Sequence, residues 1–145
     1  MRLRQYLERL RDTIYSRREI EVEYLRVEEV LSDRLGAMGG RLRFYDGSLL
    51  AFDETVIEQG VVLVKTDYAY HYQRADGTLV FRYDNAPHHP EVPTFPDHMH
   101  IEGHVEATEP PDLNEVLRRI DGLLYPTGQQ VGALKNQAEE RESNS

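Results

Sequence analysis

The chain contains no cysteine. That excludes disulfides, thiolate zinc ligands and a thiol nucleophile, and it fits a reducing cytoplasm. No apolar run approaches the roughly 20 residues that span a bilayer. The opening MRLRQYLERLRD lacks the apolar centre of a signal peptide. The expected location is therefore cytoplasmic, with no membrane contact. There is no phosphate-binding glycine loop, because the stretch from Gly36 to Gly40 has neither the Lys nor the strand-to-helix context. No Ser stands in a nucleophile elbow.

At 145 residues the chain is long enough to bury a core without staples. Its net charge of −9 argues against a broad nucleic-acid-binding surface. The charge is uneven. Residues 1–18 carry six Arg against Glu8 and Asp12, a balance of +4, which leaves −13 for the remainder. One basic element on an acidic body can contact phosphate, a partner or the rest of the chain.

Leu3, Leu7, Leu10 and Ile14 form one apolar stripe, which predicts a helix over 2–17. Arg4, Arg11 and Arg18 flank that stripe if the helix reaches residue 18. From Ile20 the alternation with Glu21 and Glu23 is that of a half-buried strand. Gly36, Gly39 and Gly40 are expected to break the chain, with a short strand at 41–45. Asp46-Gly47 and Asp76-Gly77 are hairpin signals between alternating segments, so the middle of the chain reads as an antiparallel meander. In its long strand over 61–74, Tyr68, Tyr70 and Tyr72 share a face, and a bulge would change how that face continues toward Val62. Pro110-Pro111 precede a second helix, with Asp112 as N-cap, Glu115 three residues on, and the stripe Leu113, Val116, Leu117, Ile120 and Leu124.

The expected fold is α+β: a twisted antiparallel meander of about five or six strands with the N-terminal and C-terminal helices packed on one face. One domain is expected over 1–125, followed by a polar, disordered tail over 126–145. The sheet face left open is the natural place for a site, and Tyr70 and Tyr72 are candidates to stack on a base there, although core packing is the more frequent use of strand tyrosines. An exposed strand edge is the expected route to a homodimer.

The densest chemistry lies between Arg82 and His104. Five of the six histidines fall within 17 residues, among Pro87, Pro90, Pro93 and Pro96. Imidazole is the only side chain whose ordinary pKa lies near neutrality. In an extended segment His98 and His100 point to one face, about 7 Å apart. Such a pair can give and take protons in metal-free cleavage of RNA by its own 2′-hydroxyl, with Arg82 holding the phosphate and His89 positioning substrate. Asp84, Asn85 and His88 are candidate substrate contacts, although Asp84 and Asn85 also suit a turn. The runner-up chemistry is zinc or another divalent metal on His98 and His100, with His104, His89 or Asp97 as third ligand. The remaining alternative is a binding protein whose His loop is a clasp or a partner surface.

The run FRYDNAPHHPEVPTFPDHMH, after the meander ending DGTLVFRYDN, resembles the signature of TumE-type toxins of toxin–antitoxin pairs. A looser likeness extends from about residue 20 to 121 and takes in GRLRFYDGSLL, DYAYHYQRADG and PDLNEVLRRID. The positions carrying the motif are Arg82, Tyr83, Asp84, Asn85, His88, His89, Pro96, His98 and His100. The resemblance implies a toxin of a type II pair, neutralised by a cognate antitoxin, usually a helix-turn-helix DNA-binding protein. RNA cleavage is then expected by analogy with comparable small toxins.

Overall fold

The computed structural model describes residues 2–17 and 19–125. The tail expected over 126–145 and the third residue of the Arg row, Arg18, lie outside the described residues. The chain divides into two compact units, Met1–Pro111 and one beginning at Asp112.

The first unit opens with α1 (Leu3–Tyr15), followed by β1 (Ile20–Val30), β2 (Leu35–Phe44), β3 (Leu49–Gln59), β4 (Val62–Gln73), β5 (Leu79–Asp84), β6 (His98–Ile101) and β7 (His104–Ala107). All seven strands form one antiparallel sheet in sequence order. The count exceeds the expected five or six because residues 98–107 make two strands. Glu102 and Gly103 both take positive φ (40° and 79°), and the chain reverses there. The two Asp-Gly turns form as expected. Gly47 and Gly77 sit at φ 85° and 89°, where a Cβ would be strained, and Asp46 and Asp76 each accept the amide two residues on, at 3.0 and 2.9 Å.

The glycines at 36, 39 and 40 do not break the chain. β2 runs through them, paired to β1 and β3 along its length. A Cβ on Gly40 would lie 2.9 Å from the Tyr24 carbonyl and from Phe52 Cε1, so a bare backbone is what fits there.

One face of the sheet builds the core. Leu42, Leu50, Tyr72 and Phe81 are successive register partners across four strands, and Phe52, Tyr70, Tyr83 and Met99 form the next row. The stripe Leu3, Leu7, Leu10 and Ile14 of α1 is buried, as its periodicity predicts, and the helix contacts β2 and β3. A bulge opposite Thr55/Val56 leaves Thr66 unpaired. It brings Lys65 as well as Tyr68 to the core face, where Lys65 Nζ reaches Tyr70 Oη (2.7 Å) and the Pro111 carbonyl (2.9 Å). Buried Glu54 accepts from Tyr70 at 2.5 Å and from Tyr6 of α1. Arg4 of the expected Arg row pairs with Glu29 at 3.5 Å.

The second unit carries α2 (Leu113–Leu124). Asp112 caps it, accepting the Glu115 amide at 2.8 Å, and the five apolar positions read from the sequence are its buried residues. Among the described residues no helix is long and apolar enough to cross a membrane.

Candidate functional site

The opposite face of the sheet carries polar rows. Register aligns His71, Arg82 and His100 across β4, β5 and β6, and beside them Ala69, Asp84 and His98. Period-two alternation therefore separates the tyrosines from the histidines: the residues that pack the core and those that carry chemistry stand back to back on the same strands. This corrects the expectation for Tyr70 and Tyr72. They are 0% and 3% exposed on the core face, so neither offers a ring to a base.

Asp84 is the centre of the arrangement and only 6% exposed. Its Oδ1 lies 3.0 Å from His98 Nε2 and accepts the Ala86 amide at 3.0 Å. Its Oδ2 accepts from Arg82 Nε at 3.0 Å and lies 3.7 Å from His100 Nε2. The segment over 85–97 folds across this face as a run of tight turns. Val92 N donates to His89 O, Phe95 N to Val92 O, and Asp97 N to Thr94 O. Thr94 fastens the run by donating to Asp97 O (2.7 Å) and accepting from Thr108 N (3.0 Å). This roof lowers His89 onto the pair beneath it. Ring centroids are 4.9 Å apart for His89–His98, 5.4 Å for His89–His100 and 4.9 Å for His98–His100.

The protonation pattern follows from the partners. His98 Nδ1 faces the Pro96 carbonyl at 2.8 Å, and a carbonyl only accepts, so Nδ1 carries the hydrogen. Nε2 then meets an aspartate oxygen that also only accepts. A neutral ring and a carboxylate would turn lone pairs toward each other at 3.0 Å, so a cation, proton or metal, belongs between them. His89 Nδ1 faces Glu91 Oε1 at 3.1 Å and donates to it, which leaves Nε2 for a ligand. His100 is held below the ordinary imidazole value by burial, with Asp84 acting in the opposite direction.

His89, His98, His100, Arg82 and Asp84 thus come together. The other sequence candidates do not. Asn85 clamps the roof to the β4 bulge, accepting from Tyr68 N (3.1 Å) and donating to Thr66 O (2.9 Å). Its two ends are thereby committed to backbone. His88 is exposed at the roof's tip. Asp97 accepts from Tyr68 Oη at 2.7 Å, and His104 pairs with Glu106 at 2.8 Å on the β6–β7 hairpin. Of the three candidate third ligands, only His89 joins the cluster. The sequence reading missed His71. Its Nδ1 accepts from Arg82 Nη1 at 3.3 Å while Nε2 donates to Gln73 (3.1 Å), so it steadies the guanidinium. The alternation of β4 was the available signal, since it sets His71 on the face away from the tyrosines. Beside Arg82 and Asp84 opens a concavity of about 270 Å³ whose rim includes Asp53 and Asp67.

No curated protein and no solved structure matches the chain significantly. The family model described as "Toxin TumE" matches residues 7–124, a span that contains the entire sheet, the histidine cluster and its roof. The chain therefore belongs to the TumE family and is the toxin component of a toxin–antitoxin system, with a cognate antitoxin as its partner.

Proposed function

We propose that this toxin acts by cutting RNA at the Asp84 cluster, without a resident metal. The observation that carries the reading is the convergence of three imidazoles, a buried carboxylate and a guanidinium on one sheet face beneath the roof. The exposures support this division of roles. His98 is 1% exposed and held at both ring nitrogens, so it positions Asp84 rather than meeting substrate. His89 and His100, both part-exposed, are the rings a substrate can reach. One takes the proton of the 2′-hydroxyl as O2′ bonds to phosphorus. The other delivers a proton to O5′ as the P–O5′ bond breaks, leaving a 2′,3′-cyclic phosphate. Arg82 donates to the phosphoryl oxygens that gain charge. His89 thus takes the proton-moving place that spacing alone gives to His98.

The antitoxin is proposed to be a helix-turn-helix protein of the type II kind, and a net charge of −9 suits a basic docking face. The same charge and the carboxylates of the rim favour a second reading, in which the toxin acts by protein contact alone.

Induced expression of the wild type beside a folded His89→Ala/His100→Ala variant separates the two. The expected result is growth arrest with cyclic-phosphate RNA ends for the wild type and neither for the variant. Equal arrest by both, with intact RNA, would establish the contact reading instead.

A further inference from the structure

We propose that His89, His98 and His100 form a binding site for a late first-row divalent metal ion of the zinc class. One donor atom from each of the three imidazoles lies within 4.8 Å of the others. Three converging imidazoles suit a centre with three protein ligands and one open position. Metal–nitrogen bonds of about 2.0–2.1 Å in a tetrahedron put donor atoms about 3.3 Å apart and imidazole centroids about 5.2 Å apart. Asp84 stands beside the group as a neighbouring carboxylate, with Oδ1 3.0 Å from Nε2 of His98 and Oδ2 3.7 Å from Nε2 of His100. The three centroid separations, 4.9, 5.4 and 4.9 Å, fall around the second figure.

The outer partners point the same way. A metal-bound imidazole usually gives its second nitrogen to a carbonyl or carboxylate, which fixes the tautomer with its lone pair toward the ion. His98 does this with Pro96 O and His89 with Glu91, and Arg82 and the Ala86 amide hold Asp84. A metal ion on His98 Nε2 would also set positive charge beside Asp84 Oδ1, which lies 3.0 Å from that nitrogen. Three imidazole nitrogens without sulfur select zinc, cobalt or nickel over magnesium or calcium.

The site itself does not depend on the RNA reading, but its consequence does. The lone pairs that bind the ion are those His89 and His100 need for moving protons, so an occupied site silences metal-free cleavage. Zinc is then an inhibitor of the toxin, and the roof over 85–97 is tied to the sheet when it binds.

The test titrates the chelator-stripped full chain with zinc by calorimetry and with cobalt(II) by visible absorption. The expected result is one ion per chain, an intense tetrahedral cobalt spectrum and a melting temperature that rises saturably with zinc. His89→Ala lies in the roof and leaves the sheet intact. It should weaken binding by more than the roughly 10–100-fold loss seen when only an outer partner is removed. His88→Ala and His104→Ala should bind as the wild type does. No saturable binding by the wild type, or equal binding by the folded His89→Ala variant, would overturn the site. RNA cleavage by the stripped protein that stops on adding zinc supports the inhibitory role. Cleavage that appears only with zinc would overturn inhibition and metal independence while leaving the site in place. Zinc binding without any RNA cleavage would overturn the RNA reading alone.

Discussion

Asp84 Oδ1 lies 3.0 Å from Nε2 of His98, its direct register partner across the β5–β6 ladder. Both residues are nearly buried, and Arg82 leans on the second oxygen. Asp84→Ala would leave a buried imidazole and a guanidinium without their shared acceptor. Breaking a buried pair on one side costs about 3–5 kcal/mol. The lower end is expected here because Arg82 is part-exposed and can turn to water. Urea unfolding of the metal-stripped protein measures the loss; a change below about 1 kcal/mol would contradict the central place given to Asp84.

Tyr70 makes the opposite case. Burial, then the nearby Glu54 carboxylate, push its phenol well above the ordinary value, so the hydroxyl stays neutral and donates to Glu54. Tyr70→Phe removes that donor and the acceptor of Lys65 Nζ. A buried group left unsatisfied costs about 1–3 kcal/mol. Stability should fall by that order while growth arrest persists, since the ring faces the core. Lost arrest at undiminished stability would return Tyr70 to the substrate side.

The contrast shows what a sequence displays and what it hides. The stripes of α1 and α2, the Asp112 cap and the two Asp-Gly turns are local, so spacing alone revealed them. The shared face of His98 and His100 is local too. His89 was not assignable by spacing, because it reaches the cluster from within the irregular roof between β5 and β6. Tyr70 and Tyr72 went to the wrong face for a related reason: which side of a strand is covered is decided by α1 and the neighbouring strands. The glycines of β2 look like punctuation, whereas here Gly40 makes room for Tyr24 and Phe52, and Gly36 for Leu3 and Leu7.

That room can be graded. A Cβ on Gly36 would first meet the flexible side chains of Leu3 and Leu7, at 2.8 and 3.1 Å. A Cβ on Gly40 would meet the Tyr24 carbonyl, which is backbone in a paired strand, at 2.9 Å. Overpacking of the second kind costs about 1–3 kcal/mol. Gly40→Ala should therefore destabilise clearly more than Gly36→Ala in parallel melts. The reverse order would mean that β1 gives way more easily than α1.

His104 should titrate above the ordinary imidazole range, because Glu106 accepts its Nε2 hydrogen at 2.8 Å. A raised folded value binds protons more tightly than the unfolded chain does. The contribution is complete below the unfolded value, about 6.5, and fades as pH rises through the folded one. The pair is exposed, so the effect belongs in a chemical-shift titration rather than a melt. Glu106→Gln should bring His104 back toward the ordinary value, while His100, desolvated, titrates below it. A His104 midpoint unmoved by Glu106→Gln would remove the ion pair as the cause.

Arg82 tests the proposed chemistry most directly. Its Nε is held by Asp84 and its Nη1 by His71, so two neighbours aim one planar fork. Lysine keeps the charge but not the fork, and it cannot contact Asp84 and His71 in that geometry while also donating to a phosphate. Arg82→Lys should fold and still bind zinc, since Arg82 is not a ligand. Losing oriented donors to a transition state costs about 10²–10³ in rate. Purified Arg82→Lys should therefore cut RNA slower by that order, and His71→Phe should show a smaller loss in the same direction. Cleavage by Arg82→Lys within a few-fold of the wild type would show that charge alone suffices at this position, and that the His71–Arg82–Asp84 row serves the sheet instead of the substrate.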